Sequence, residues 1–225
     1  VYREILYEDL MSVSPHFKIS ITEHAKWGTG ESSMYELQSA LATGMFLARM
    51  YRRPEVESAT YHCACMGDGW WGLYQTNMKQ YWPTPIGTMY GVYQEHVGDR
   101  VVWTKMTSET NSDYVNPQSG GERFNLVAFA RGKRELELIF TNYTEHVEFP
   151  LNIKFKNNYT LESSTVFTGC NFTSAPMYPD TLDCIQTNVD KTKVKNFSSI
   201  TVPPKCMMFL RLTSDKDLPQ LGAKG

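Results

Sequence analysis

Two kinds of hydrophobic periodicity meet near Gly98-Asp99 and predict an α/β fold followed by an all-β one. Before that point, helix-spaced and strand-spaced segments alternate. After it, apolar residues recur at every second position and no helical pattern stands out. A third observation is a series of turn signals, Gly120-Gly121, Gly132-Lys133 and Asn157-Asn158, that cuts the second part into short strands. The predicted organisation is residues 1–99, residues 100–214 and a polar, glycine-containing tail over residues 215–225.

In the first part, Ile5, Leu6, Leu10 and Met11 have helical spacing, and Ser14-Pro15 ends that segment. Phe17 to Thr22 is a short β-branched strand. Ser32 or Ser33 caps the next helix, with Glu36 three residues after Ser33 in capping-box spacing. That helix, Met34 to Tyr51, carries a stripe of Leu37, Leu41, Met45 and Ala48, and Pro54 stops it. Val56 to Cys65 reads as one strand, then a long Gly/Trp-rich loop, then a helix over Pro85 to Val97 with proline in its first turn. Such alternation implies parallel strands with helical crossovers, as in the closing segment of a (β/α)₈ TIM barrel. Two strands cannot close a barrel, so either the others lie upstream or this part belongs to an open α/β sheet.

The second part alternates with period two: Leu136, Leu138 and Phe140; Phe149, Leu151, Ile153 and Phe155; Met208, Leu210 and Leu212. Antiparallel strands at this spacing predict a β-sandwich.

Composition narrows the partners. A formal net charge of -2 gives no electrostatic reason to expect nucleic acid or an anionic membrane. No apolar run reaches the roughly 18 residues of a membrane span. The chain starts at Val1 without a signal-like segment and reads as a fragment or a processed product. Four N-x-S/T sequons, at Asn142, Asn158, Asn171 and Asn196, favour a secretory-pathway protein, extracellular or lysosomal. Of five cysteines, Cys170 and Cys184 flank a polar loop and are the expected disulfide; Cys63 and Cys65 read as buried free thiols. No metal site or cofactor is expected: the sequence has no P-loop, no dinucleotide glycine fingerprint, no H-E-x-x-H and no G-x-S-x-G.

The chemistry-bearing residues gather at strand ends, where parallel barrels place function. Glu23 ends the first strand, directly after Ile19, Ile21 and Thr22. By position alone it is as readily a solvent-facing strand terminus as a catalytic carboxylate. His24 and Trp27 follow, adding an imidazole and an aromatic platform suited to a sugar ring.

The stretch FKISITEHAKW, a helix, VESATYHC, a Gly/Trp-rich loop and WPTPIGTMYGVYQEHVGDRVV together resemble glycoside hydrolase family 51, the α-L-arabinofuranosidases. The carrying residues include Thr84-Pro85, Tyr90, Val92, His96 and Gly98, and the closing VPPKCMMFLRL resembles the last strand of such C-terminal sandwiches. The resemblance runs over nearly the whole chain. It implies a retaining mechanism with two carboxylates about 5 Å apart. Glu23 matches the nucleophile. The acid/base of the family follows an asparagine on an earlier strand, expected before Val1, so this chain alone is expected to be inactive. Glu31 and Asp68 are not placed by the pattern.

Departures lie at the site. Family members tend to have tryptophan and asparagine after the nucleophile, where this chain has His24 and Ala25. They tend to have an amide at the end of the eighth strand, where this chain has His62 and Cys63. His62 is either a sugar contact or a hydrogen-bonded core residue, and Tyr61 goes to the core. Trp70 and Trp71 either wall the site or pack on the rim. The competing functions are a carbohydrate-binding or interaction module without catalysis and another clan A glycosidase.

Overall fold

The computed structural model describes residues 12–14, 16, 18–24, 37–66, 72–76, 81–106, 123–155, 158–169, 187–190 and 200–218. The helix expected over the first thirteen residues lies almost wholly outside them.

The α/β part begins with strand β1 (Ile19–His24), helix α1 (Leu37–Tyr51) and strand β2 (Val56–Tyr61). β1 and β2 pair in parallel, Ile19 opposite Val56 and His24 opposite Tyr61, with α1 as the crossover. The Ser20 and Ser58 hydroxyls share a short hydrogen bond across the pair. The register slips between Ile21 and His24, so the strand ends approach each other irregularly.

The single strand expected over Val56 to Cys65 is interrupted at His62. Its second piece, β3 (Cys63–Met66), joins a different sheet, pairing in parallel with β4 (Gly72–Thr76), which pairs antiparallel with β5 (Tyr81–Pro83). Two short strands thus occupy the segment expected to be loop. They are held by backbone pairing, which leaves no periodic trace in so few residues.

Helix α2 (Pro85–His96) starts where predicted. The Thr84 side chain caps it by accepting from Gly87 N–H at 3.2 Å, and proline takes the position whose N–H would have no partner. Gly87 also has no room for a side chain, since a Cβ there would lie 2.0 Å from the Leu73 carbonyl oxygen.

The remaining strands are β6 (Arg100–Val102), β7 (Phe124–Arg131), β8 (Glu135–Asn142), β9 (Phe149–Leu151), β10 (Tyr159–Thr168), β11 (Thr187–Asp190), β12 (Ile200–Val202) and β13 (Cys206–Ser214). Six form one antiparallel sheet in the order β11-β10-β13-β8-β7-β6, and β12 pairs with β9.

The predicted alternation marks one face of the large sheet. Leu136, Leu138, Phe140, Met208, Leu210 and Leu212 are buried there with Phe149 of β9 and Val202 of β12. The opposite face is buried too. Val127, Phe129, Ile139, Met207 and Phe209 pack against Leu37, Leu41 and Ala48 of α1 and Ile86, Met89 and Tyr93 of α2 in one apolar cluster. The change of pattern at Gly98-Asp99 is therefore also a change of layer within a shared core. The backbone passes so close to β7 at this point that a Cβ on Gly98 would lie 2.4 Å from the Ala130 carbonyl oxygen.

A buried ionic cluster fastens α2 to the sheet. Glu137 of β8 is fully buried; its carboxylate accepts from His96 Nδ1 at 2.8 Å and from Arg211 Nε at 2.5 Å. Arg131 and Arg211 also donate to the Glu95 carbonyl at the end of α2, at 2.6 and 3.1 Å. This carbonyl has no partner within the helix, and two cations suit the negative end of its dipole.

Candidate active site

Glu23 stands at the C-terminal end of β1, and its side chain is 64% exposed. Its carboxylate Oε2 lies 3.2 Å from Nδ1 of His62, at the end of the neighbouring parallel strand. The two groups meet because β1 and β2 run the same way, so that their C-terminal ends share one rim. The His62 backbone is fixed as well, its N–H donating to the His24 carbonyl at 3.1 Å.

His24 is separated from this pair by strand alternation, which sends neighbouring side chains to opposite faces. Its ring packs against Phe46 of α1 at 4.5 Å and edge-on to Tyr61 at 5.4 Å, and its Nε2 is 3.0 Å from the Tyr90 hydroxyl of α2. Burial pushes the imidazole down to about 4, so it is neutral near pH 7. A neutral ring packed between strand and helices still keeps part of its surface open, since His24 is half-buried.

Tyr61 is buried, with the rings of His24 and Tyr90 edge-on to it, and desolvation pushes its hydroxyl up to about 12. Cys63, expected to be a buried thiol, is partly exposed, whereas among the described residues Cys206 is a deeply buried free thiol. Trp27, Trp70, Trp71, Glu31, Asp68, the Cys170–Cys184 pair, Asn171 and Asn196 lie outside the described residues, as does the Cys65 side chain.

Two sequons can be compared. Asn158 is exposed, its amide 3.1 Å from an Asp215 oxygen. Asn142 is fully buried. Its Nδ2 lies 2.7–3.2 Å from the carbonyl oxygens of Val147, Val202 and Pro203, while its Oδ1 accepts from the Thr144 N–H at 3.0 Å. A glycan on that nitrogen would replace these bonds and has no room. Asn142 is a structural residue, which corrects its expected role as a glycosylation site.

Five of the resemblance residues in WPTPIGTMYGVYQEHVGDRVV serve as scaffold. Thr84 and Pro85 start α2, Tyr90 holds His24, His96 reaches Glu137, and Gly98 permits the close passage to β7. The sequence did not single out Glu137 itself. It sits at a polar position of an alternating strand, and only the packing of α2 shows that the position is covered.

Among the described residues, no three His, Cys, Asp or Glu side chains converge in a way that would hold a metal, and no helix is long and apolar enough to cross a membrane. An open depression at the β7–β8 turn is lined by Arg131, Lys133, Arg134 and Asp217, on elements other than those that carry Glu23. Arg134 and Asp217 pair with each other there at 2.9 Å.

No protein-family model and no curated protein matches the sequence. The fold does match solved structures. An α-L-arabinofuranosidase of glycoside hydrolase family 51 from Thermotoga petrophila RKU-1 superposes with TM-score 0.69 and 14% identity, over 92% of this chain and 48% of that one. The α-L-arabinofuranosidase from Thermotoga maritima, solved as an arabinose complex, gives 0.68 and 17% over 95% and 48%. A family 30 subfamily 8 xylanase from Clostridium acetobutylicum gives 0.55 and 13% over 87% and 42%. The resemblance to family 51 is thus a shared fold over nearly all of this chain. The chain spans about half the length of the family 51 structures it matches.

Proposed function

We propose that this chain is part of a retaining glycoside hydrolase of the α-L-arabinofuranosidase type, with Glu23 as the nucleophile. The observation that carries the reading is the position of Glu23: an exposed carboxylate at the C-terminal end of a parallel strand, beside the end of the next strand. In this reading residues 1–99 are the closing part of a (β/α)₈ barrel and residues 100–214 a β-sandwich packed against it. The likeness of fold to family 51 supports the reading, and a family 30 xylanase shares that fold.

The proposed chemistry needs two carboxyl groups about 5 Å apart. Glu23 attacks the anomeric carbon and displaces the leaving oxygen, which a second carboxyl group protonates. The bond formed is a glycosyl ester on Glu23; the bond broken is the glycosidic one. Water, deprotonated by the second group, then releases the sugar with its configuration retained. The reading assigns Glu23 one half of this pair and takes the other from an earlier strand. Exposed Asn158 is consistent with a secreted or lysosomal location.

The test is turnover of an aryl α-L-arabinofuranoside by the complete natural polypeptide and its Glu23→Gln variant. A neutral amide cannot serve as the nucleophile, so activity is expected to fall by at least about a thousandfold. Near-normal turnover by the variant would remove Glu23 from the mechanism.

A further inference from the structure

We infer that His62 is a positioning residue for the Glu23 carboxylate: its Nδ1–H holds Oε2 and leaves Oε1 as the attacking oxygen. The inference rests on Glu23 acting as the nucleophile proposed above.

Attack on an anomeric carbon requires the oxygen to be held in place, and displacements on the order of 1 Å cost rate. A glutamate side chain that is 64% exposed has several rotamers open to it. Among the described residues, the polar side chain that meets it is His62, at 3.2 Å. The approach is at ion-pair distance, and the hydrogen bond is the step inferred from it. The imidazole is the better anchored partner. Its side chain is 24% exposed, and its backbone N–H is tied to the His24 carbonyl at the point where β2 stops pairing with β1. One residue later the chain enters the sheet of β3 and β4. His62 is thus held between two sheets, with its ring beside a carboxylate that has greater freedom.

The chemistry fixes the tautomer. A carboxylate only accepts, so Nδ1 must carry the proton, and in a neutral ring Nε2 then carries the lone pair. An oxygen that accepts a hydrogen bond is a poorer nucleophile than its free twin, so attack falls to Oε1. His24 does not compete for the carboxylate, because its Nε2 meets the Tyr90 hydroxyl.

The first measurement needs no turnover. In the 225-residue chain labelled with ¹⁵N-histidine and held at pH 9, where an ordinary imidazole is uncharged, His62 is expected in the Nδ1–H form. Glu23→Ala should shift it towards the Nε2–H form while the His24 signals stay in place. A His62 tautomer indifferent to Glu23→Ala would overturn the inference.

The second measurement uses the complete natural polypeptide and a 2-fluoro arabinofuranoside with a good leaving group. Trapping at Glu23 then needs no acid catalyst. His62→Ala should slow trapping on the order of tenfold, and His62→Asn, which returns an N–H donor at similar reach, should restore most of the rate. Equal rates in all three proteins would overturn the positioning role. No trapping in the parent protein, with the tautomer shift intact, would overturn the nucleophile reading while the Glu23–His62 hydrogen bond stands.

Discussion

Replacing Glu137 with glutamine should loosen the attachment of α2 to the large sheet while leaving side-chain volume almost unchanged. The His96 side chain is 5% exposed, so its 2.8 Å bond to the Glu137 carboxylate is a buried bond to an ionisable group. Such a bond contributes about 1.5–3 kcal/mol. Arg131 and Arg211 are each 34% exposed and recover water when the carboxylate is lost, so each adds only about 0.5 kcal/mol. The expected loss is about 3 kcal/mol, which for a chain of this size is a fall in Tm of roughly 6–12 °C. Urea denaturation followed by circular dichroism gives the change as a shifted midpoint at unchanged slope. Asp217→Asn is the control: its pair with Arg134 is more than half exposed on both sides, and the midpoint should hardly move. A Glu137→Gln loss below about 1 kcal/mol would refute the reasoning. It would mean that desolvating the carboxylate cancels its pairings, and that apolar packing alone fastens α2.

Two glycines should respond to alanine with opposite signs. Gly98→Ala is expected to cost about 1–3 kcal/mol, since backbone blocks the new methyl at 2.4 Å, whereas Gly91→Ala, with nothing within 4 Å in a helix interior, should stabilise by up to about 1 kcal/mol. Both are read from denaturation midpoints. Asn142→Ala should cost about 2–3 kcal/mol by removing the donor shared by three carbonyls. Peptide mapping after expression in a secretory host should find Asn158 glycosylated and Asn142 bare. His24 stays neutral in the folded chain down to about pH 4 but gains a proton at about pH 6.5 when unfolded. Between those values the unfolded state binds more protons, so the stability His24 contributes is complete above pH 6.5 and is lost as pH falls towards 4. The advantage of the parent protein over His24→Phe should shrink across that window in pH-dependent denaturation; a constant difference would count against the placement of His24.

Where local physics dominates, the sequence was sufficient. The Leu37, Leu41, Met45 and Ala48 stripe marked α1, although Met34 to Glu36 of the expected span lie outside the described residues. Thr84-Pro85 set the start of α2 to the residue, because a cap and a fixed proline φ act within one turn. Leu136, Leu138 and Phe140 marked a sheet face, because alternation is a property of the single strand. The break at His62 was not legible. VESATYHCAC reads as one strand, and only the pairing of its two halves with different neighbours divides it. Burial of one polar position was hidden for the same reason: Glu137 looks solvent-facing by alternation until α2 covers it, while Asn142 reads as a turn residue until the 202–203 backbone closes over it.

Glu23 shows both sides of this division. By itself the sequence determined a carboxylate near the end of a β-branched strand, because the β pattern is local; the strand itself runs on through Glu23 to His24. Only the tertiary structure decided that its neighbour is His62 and not His24. Adjacent residues on one strand point apart, while residues 39 positions distant meet when parallel pairing brings two strand ends to the same rim.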